Sequence, residues 1–184
     1  MNDTIKPKKR SDSQMRDALN AAGVPKLYQK KDGKLQDHGE AGKRLKDMID
    51  VKLHHEIFKG GVVEICGNDE HDHAAFCMFV RTMVVRNLPA AMIFAEFLLP
   101  CYSKTYNGRH TYDKIADYGA FAVEGLTPHK CNPYGDNAST VEWKLTKLLD
   151  DGAGMIILTD TPITDCEIWS PRFRSLIANR LIKY

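Results

Sequence analysis

The chain has 184 residues, 43% of them hydrophobic and 27% charged, which is typical of one globular domain with a sizeable core. No apolar run approaches the ~20 residues of a transmembrane helix. The basic start, M-N-D-T-I-K-P-K-K-R, lacks the apolar core of a secretion signal. The composition therefore argues against a membrane-spanning or secreted protein, and we expect a cytoplasmic one without membrane partners.

The net charge of +2 conceals an uneven distribution. Residues 1–50 hold 12 Lys/Arg against 8 Asp/Glu, whereas residues 51–184 hold 14 against 16. A basic first segment is typical of a solvated tail, or of an arm that binds nucleic acid or an acidic partner. The five cysteines form no C-x-x-C pair, which predicts reduced, buried thiols and no disulfide framework.

The first 61 residues are predicted to be a helical extension followed by the start of the main domain. A short helix is predicted over 13–22, ended by Gly23, and a charged connector continues to residue 39. Helical spacing resumes over 40–58. We therefore expect two parts, a basic N-terminal extension with its connector over 1–39, partly disordered, and an α/β domain over 40–184.

Strands and helices are predicted to alternate along the rest of the chain. Each strand is continuously apolar, which indicates an α/β fold with a parallel sheet covered by helices on both faces. Ser139 and Glu142 form a predicted capping box that opens one helix, and Ser170-Pro171 predicts the start of the last. The predicted strands are 62–66, 90–95, 119–123 and 154–159, and the predicted helices are 74–86, 139–149 and one from 170 onward.

The stretch from Val62 to Val80 reads V-V-E-I-C-G-N-D-E-H-D-H-A-A-F-C-M-F-V, a strand that passes through a polar loop into a helix. In α/β proteins this junction lies at the carboxyl edge of the sheet, where helix N-termini commonly bind phosphate. A phosphate loop needs glycines, a lysine and a hydroxyl. This loop instead has carboxylates and histidines, so its position predicts a phosphate site while its residues do not.

Five segments follow one another in a characteristic order along the chain: G-V-V-E-I-C-G, A-A-M-I-F-A-E-F-L-L, D-Y-G-A-F-A-V-E-G-L, G-A-G-M-I-I-L-T-D-T and S-P-R-F-R-S-L-I-A-N-R-L. In their order and spacing, these segments resemble the AAA+ core of bacterial and phage replicative-helicase loaders of the DnaC/DnaI type. The connector A-A-G-V-P-K-L-Y is also similar to the segment ahead of that core. The resemblance covers about residues 20–184 and implies a P-loop NTPase (AAA+)-like core without a full lid.

The resemblance implies that the nucleotide loop is degenerate. With Gly67 as its first glycine, Glu70 and Asp72 stand at later glycine positions, His73 at the lysine and Ala74 at the Mg²⁺-binding Ser/Thr. Unit charges ~4 Å apart repel by about 4 kcal/mol at an effective dielectric near 20, so Asp69, Glu70 and Asp72 would repel a triphosphate. We therefore expect a pseudo-ATPase that needs no cofactor.

The other family positions are also altered. Glu124 stands at the metal-binding carboxylate of the third strand, but Gly125 occupies the place of the catalytic acid. Asp160 takes the sensor-like position at the end of the fourth strand, where the family usually has asparagine. Arg174 or Arg180 corresponds to an arginine that would act in trans, which implies self-association.

A mixed aromatic and basic segment follows the second strand. Such composition suits single-stranded DNA, with rings stacking on bases and cations tracking phosphates, and the family resemblance implicates the same region. The alternative is an exposed helix with its tyrosines half buried against the sheet. The candidate residues are Tyr102, Lys104, Tyr106, Arg109, His110 and Tyr112.

Cys66, His71, His73 and Cys77 have ligand types that suit zinc, although their spacing matches no common finger. A metal-dependent enzyme would instead use His71, His73 and Glu124. The alternative for the acidic loop is a solvated helix N-terminus, where carboxylates gain ~0.3–1 kcal/mol from the helix dipole. No serine lies in a G-x-S-x-G setting, so no nucleophilic triad is predicted.

The sequence therefore predicts a helicase-loader-like DNA replication protein of a phage or mobile element. It would bind a hexameric replicative helicase, and single-stranded DNA as a further ligand, without hydrolysing ATP, and so would not be an enzyme. An inhibitor of helicase loading is the variant in the same class. The alternatives from other classes are the small metal-dependent enzyme and an unconventional nucleotide-binding module.

Overall fold

The computed structural model describes residues 10–29, 55–67, 70–98, 118–126 and 137–182. Within these residues, four α-helices and four strands are joined in part by short 3₁₀ turns. The helices are α1 (Asp12–Ala21), α2 (Glu70–Val85), α3 (Asn137–Asp150) and α4 (Pro171–Arg180). The strands are β1 (Val62–Cys66), β2 (Ala90–Phe94), β3 (Ala120–Glu124) and β4 (Gly154–Thr159), and 3₁₀ turns span Lys26–Tyr28, Ala95–Leu98 and Ile163–Asp165.

The four strands form one parallel sheet in the order β1-β4-β3-β2. All six residues of β4 are buried because that strand lies between two others. Beyond β1, Leu181 makes a parallel bridge to Val62, and the N–H of Ile182 donates to the Val62 carbonyl at 2.8 Å. The α/β fold with a parallel sheet is thus confirmed.

Helices cover both faces of the sheet, and alternate residues of each strand feed two separate cores. In β3, Ala120 and Ala122 face the core that includes residues of α1 and α2, whereas Phe121 and Val123 face the core of α3 and α4. This alternation is the period of two expected of strands buried on both sides.

The segment around α1 belongs to the first of these cores. Leu19, Ala22 and Val24 are buried against residues of α2 and the sheet. The N–H of Met92, in β2, donates to the Ala22 carbonyl at 2.8 Å. The predicted boundary at residue 40 lies outside the described residues, as does most of the predicted helix over 40–58, of which only 55–57 are described as helical.

Most predicted elements agree with the structure, and two predictions are wrong. The strands at 62–66 and 154–159 and the Ser170-Pro171 helix start are confirmed. Helix α2 begins at Glu70 rather than residue 74, because Glu70 and Asp72 lie in its first turn, where the helix dipole favours carboxylates. The capping box is wrong: Ser139 lies inside α3, and Glu142 accepts hydrogen bonds from Ser170 instead.

Candidate functional site

The carboxyl ends of β1, β3 and β4 meet beside the first turn of α2. The chain leaves β1 at Gly67, whose N–H donates to the Thr159 carbonyl at the end of β4 at 2.8 Å. Strand β3 ends at Glu124, which is in register with Leu158 of β4. The structure therefore brings Gly67 and His73 of the loop predicted to be degenerate, and Glu124 at the predicted metal-binding position, to one edge of the sheet, the edge at which α/β proteins bind ligands.

Asp72 lies directly against Gly67. A Cβ atom added to Gly67 would overlap the carboxylate of Asp72, so that carboxylate folds back over the first residue after β1. A phosphate loop instead leaves its backbone N–H groups open to the ligand at this position. The acidic side chain therefore occupies space that a phosphate would need. Asp69 of the predicted loop lies outside the described residues.

His73 and Glu124 contact each other across this edge. Nε2 of His73 lies 3.3 Å from Oε1 of Glu124, with side chains 36% and 16% exposed, so the pair is partly desolvated. The other oxygen, Oε2 of Glu124, is buried and has no hydrogen-bond donor among the described residues. The residue at the predicted lysine position thus bonds to the residue at the predicted metal-binding position.

Two further side chains surround His73. The ring of Tyr28, from the turn after α1, lies 6.2 Å from the imidazole, centroid to centroid. Burial, with nearby Cys77, Glu70 and Glu124, raises the pKa of Tyr28 above 10.0. The N-terminal segment therefore covers part of this site with an aromatic ring.

Cys77 lies one helical turn beyond His73, its Sγ 3.8 Å from Nε2 of the imidazole. Burial, and then the Glu124 carboxylate, raise the pKa of this thiol to about 12. A thiol, an imidazole and a carboxylate are thus adjacent, but the thiol stays protonated at neutral pH. Since the thiolate is the nucleophile, this arrangement does not form a reactive cysteine.

Two neighbouring positions lack the groups of an ATPase. Ala74 is buried and has no oxygen for a metal ion. Gly125 has φ of 82°, a left-handed conformation that costs a residue with a side chain roughly 1 kcal/mol. The turn after β3 therefore favours glycine where the family places its catalytic acid.

At the end of β4, Thr159 is buried next to Asp160, the residue at the predicted sensor-like position. The Thr159 hydroxyl lies 3.1 Å from the Leu126 carbonyl and 2.8 Å from that of Thr161, and donates to one of them at a time. Asp160 is exposed. Sequence reasoning missed Thr159 because a threonine closing an apolar strand also fits ordinary strand propensity.

The two arginines proposed to act in trans lie on α4. Arg180 donates to the Leu149 carbonyl at 2.5 Å and lies 3.6 Å from an oxygen of Asp150, so its guanidinium binds the C-terminal end of α3. The Nε of Arg174 is buried and has no hydrogen-bond partner in the part of the chain that the structure describes. Arg180 thus has a structural role within its own chain that the sequence did not indicate.

Glu64 is a second residue that the sequence reasoning missed. It lies within β1, is buried, and accepts a hydrogen bond from the Ile163 N–H at 2.7 Å. Burial raises the pKa of this carboxyl. The hydrogen bond from Ile163 lowers it in part, and the nearby Asp165 carboxylate raises it further. A lone glutamate in an apolar run is the signal that could have drawn attention to it.

The predicted zinc ligands do not form a metal-binding group within the described residues. No group of three or more His, Cys, Asp or Glu residues within the described ranges is placed to hold a metal ion. Cys66, predicted buried, is exposed. Partial desolvation and then the Glu64, Asp165 and Asp72 carboxylates raise its pKa to about 11, which disfavours the thiolate that zinc needs. The side chain of His71 lies outside the described residues, so the proposed ligand set stays a prediction.

The candidate DNA-binding residues, Tyr102 to Tyr112, also lie outside the described residues. In the part of the chain that the structure describes, no helix combines the length and apolar character needed to cross a membrane. No protein-family model matches the sequence, and no curated protein matches it either.

Proposed function

We propose that the chain is a helicase-loader-like replication protein with a AAA+-type core that binds a replicative helicase without an ATP cycle of its own. The contacts at the carboxyl edge of the sheet support the absence of ATP chemistry. The sequence resemblance supports the choice of partner. The absence of ATP chemistry and the identity of the partner can therefore be refuted separately.

The observation that carries the absence of ATP chemistry is the bond between His73 and Glu124. In an active P-loop protein, a lysine at the first position reaches the phosphates and a carboxylate at the second helps to hold Mg²⁺. Here the residues at those positions bind each other. Asp72 adds negative charge over Gly67, and Gly125 leaves no catalytic acid.

The sheet order is compatible with the AAA+ part of the proposal. Strand β4 lies between β1 and β3. An all-parallel sheet with helices is consistent with the P-loop-like core that the resemblance implies. The parallel bridge from Val62 to Leu181 adds a position on the other side of β1, as a fifth strand would.

Isothermal titration with ATP and Mg²⁺ tests the absence of nucleotide binding. We expect no binding below about millimolar concentration, since one added like-charge pair near 4 Å reduces affinity on the order of several hundredfold. The triple variant Asp72→Gly, His73→Lys and Ala74→Thr is the matched comparison and should bind ATP more tightly than the natural chain. Micromolar binding by the natural chain would contradict the proposal.

Co-purification with the replicative helicase of the cell that makes the chain tests the partner. We expect a complex without ATP, measured with and without single-stranded DNA. Absence of any complex would refute the helicase part while leaving the result of the ATP titration intact. If a complex forms, helicase transfer onto circular single-stranded DNA distinguishes the two roles, because a loader increases transfer and an inhibitor decreases it.

A further inference from the structure

A pocket lies between α1, the 3₁₀ turn that follows it and α2. Its volume is about 550 Å³, within the range of cavities that hold small ligands. Its apolar lining residues are Met15, which packs against the core, and Leu19, which is buried. Arg81, the lining residue from α2, lies about two turns beyond His73, roughly 12 Å along the helix axis. The pocket is therefore distinct from the contacts at the carboxyl edge of the sheet.

The charged lining of this pocket is mainly positive. It comprises three cations, Arg16, Lys26 and Arg81, and one carboxylate, that of Asp12. Asp12 and Arg81 each already have an interaction within the chain. Arg16 and Lys26 are exposed, and in the part of the chain that the structure describes their side chains have no ion-pair or hydrogen-bond partner. Without the two residues that have partners, the lining still holds two positive charges and no negative one.

The side-chain amides of Asn20 and Gln29 add a hydrogen-bond donor to the lining. Nε2 of Gln29 donates to the Val24 carbonyl at 2.6 Å, and because a carbonyl can only accept, this atom is the NH₂ group of the amide. The same group donates to Oδ1 of Asn20 at 2.9 Å. Since the oxygen of the Asn20 amide is used in this bond, the group that Asn20 has available for a ligand is its NH₂.

We propose that this pocket binds a phosphate dianion, either free or as the phosphoryl group of a small molecule. A phosphoryl group carries about −1.5 to −2 charge at pH 7 and three strong acceptor oxygens, which match the two uncompensated cations and the Asn20 donor. Arginine binds phosphate oxygens bidentately, and lysine binds them as a point charge. Met15 and Leu19 would contact an apolar part of an organic phosphate.

Two other kinds of anionic ligand match this lining less well. Proteins that bind single-stranded nucleic acid commonly stack its bases on aromatic side chains, and the described lining residues include none. A peptide carboxylate has one negative charge, so it would leave one of the two cations, Arg16 or Lys26, uncompensated. A single compact dianion therefore fits the charges best.

Nuclear magnetic resonance titration of the isotope-labelled chain tests the proposal. The probes are inorganic phosphate, phenyl phosphate and phenol, at constant ionic strength set with chloride. Both phosphates should give saturable shifts at the backbone amides of Arg16, Asn20 and Lys26, with dissociation constants below about 1 mM, and phenol should give none. Tighter binding of phenyl phosphate than of inorganic phosphate would identify an organic phosphate as the ligand, and equal or weaker binding would identify the free ion.

Three variants locate the binding. Arg16→Gln and Lys26→Gln each remove one charge and should weaken phosphate binding about tenfold. Asn20→Asp keeps an oxygen acceptor for Gln29 but replaces the NH₂ with a carboxylate oxygen, so it should weaken binding about tenfold or more. Arg172→Gln, at an exposed arginine of α4, is the matched control and should leave binding unchanged. Circular dichroism checks that each variant is folded.

The result does not depend on the proposed absence of ATP chemistry. ATP bound in this pocket would lose affinity in Arg16→Gln, whereas ATP bound at the sheet edge would not. Absence of saturable binding by both phosphates, or unchanged binding in Arg16→Gln or Asn20→Asp, would overturn the proposal. Labelled oligo(dT) that bound more tightly than phenyl phosphate and lost affinity in Arg16→Gln would also overturn it, because the pocket would then be a DNA site.

Discussion

Helices α2 and α4 both start at the carboxyl edge of the sheet, each after a parallel strand, but their first turns are stabilised differently. In α4, the Ser170 hydroxyl accepts from the Phe173 N–H at 3.2 Å, and Pro171 occupies the first helical position. In α2, the first turn holds Glu70 and Asp72, and His73 binds Glu124 of another strand. The α4 start therefore has a local serine cap, which also bonds to Glu142 of α3, whereas the α2 start has acidic residues and a contact to β3.

This difference bears on function. A serine cap satisfies helix N–H groups with a neutral oxygen, which is the ordinary structural solution. At α2, two carboxylates of the first turn and the His73–Glu124 pair lie where the sequence resemblance implies a nucleotide loop. The α4 start is therefore structural, whereas the α2 start holds the internal contacts on which we base the proposed absence of ATP chemistry.

The largest expected effect concerns Glu64, which supports the turn leading from β4 to α4. Glu64→Ala removes the acceptor of the buried Ile163 N–H and should lower the free energy of unfolding by about 1–3 kcal/mol. Glu64→Gln keeps an oxygen acceptor, so its free energy of unfolding should fall by less than that of Glu64→Ala. Urea denaturation of both variants measures this, and equal losses would show that the hydrogen bond is not the cause.

The same residue predicts a pH dependence. Because burial raises the pKa of the Glu64 carboxyl in the folded chain, the folded state holds more protons than the unfolded state above pH 4.5. The contribution of Glu64 to the free energy of unfolding should therefore fall as pH rises from 4.5 through the raised pKa and then level off. Glu64→Gln should lack this fall, which denaturation at several pH values can detect.

The next largest effect is expected from removing the serine that caps the N-terminus of α4. Ser170→Ala removes the helix cap and the hydroxyl bound to Glu142, and should cost about 1–2 kcal/mol. Ser139→Ala is the matched control because Ser139 lies inside α3, and it should change stability by less than about 0.5 kcal/mol. A loss at Ser139 as large as that at Ser170 would contradict the assignment of the caps.

A smaller effect is expected at the α2 start. His73→Ala breaks a pair whose histidine is 36% exposed, so solvent screening should limit the loss to below about 1 kcal/mol. His55→Ala, at an exposed histidine on another element, is the control and should have almost no effect. A loss of several kcal/mol for His73→Ala would contradict this expectation and would make the pair a main structural support of the fold.

The last prediction concerns the alkylation of two cysteines, Cys77 and Cys66, in the folded chain. Cys77 is buried with a pKa raised to about 12, so it should resist iodoacetamide at pH 8 in the folded chain. Cys66 is exposed with a pKa raised to about 11, so it should react, and faster as pH rises toward that value. Site-resolved mass spectrometry measures both. Rapid alkylation of Cys77 would mean that the α2 site opens readily.

The strands and the α4 start could be predicted because their signals are local. Apolar runs such as 154–159 read as buried parallel strands, and a serine followed by proline reads as a helix start. The α2 start could not be placed, because Glu70 and Asp72 are equally typical of a loop and of a first helical turn. Its stabilising partner, Glu124, lies on a strand distant in sequence.

The sequence predicted which residues lie at the candidate site but not which of them contact each other. The family resemblance brought Gly67, His73 and Glu124 to one edge, and the structure places them there. It could not reveal that His73 binds Glu124, that Asp72 covers Gly67 or that Tyr28 lies beside His73. Such contacts depend on side-chain directions that no spacing in the sequence specifies.

The bridge between Val62 and Leu181 also bears on solubility. A strand at the edge of a sheet exposes unpaired backbone groups that can template pairing with another molecule, and β1 would be such an edge. Ile182 donates its N–H to the Val62 carbonyl, so the residues after α4 close part of that edge. A chain cut after Arg180 would leave β1 open and should be prone to edge-to-edge aggregation.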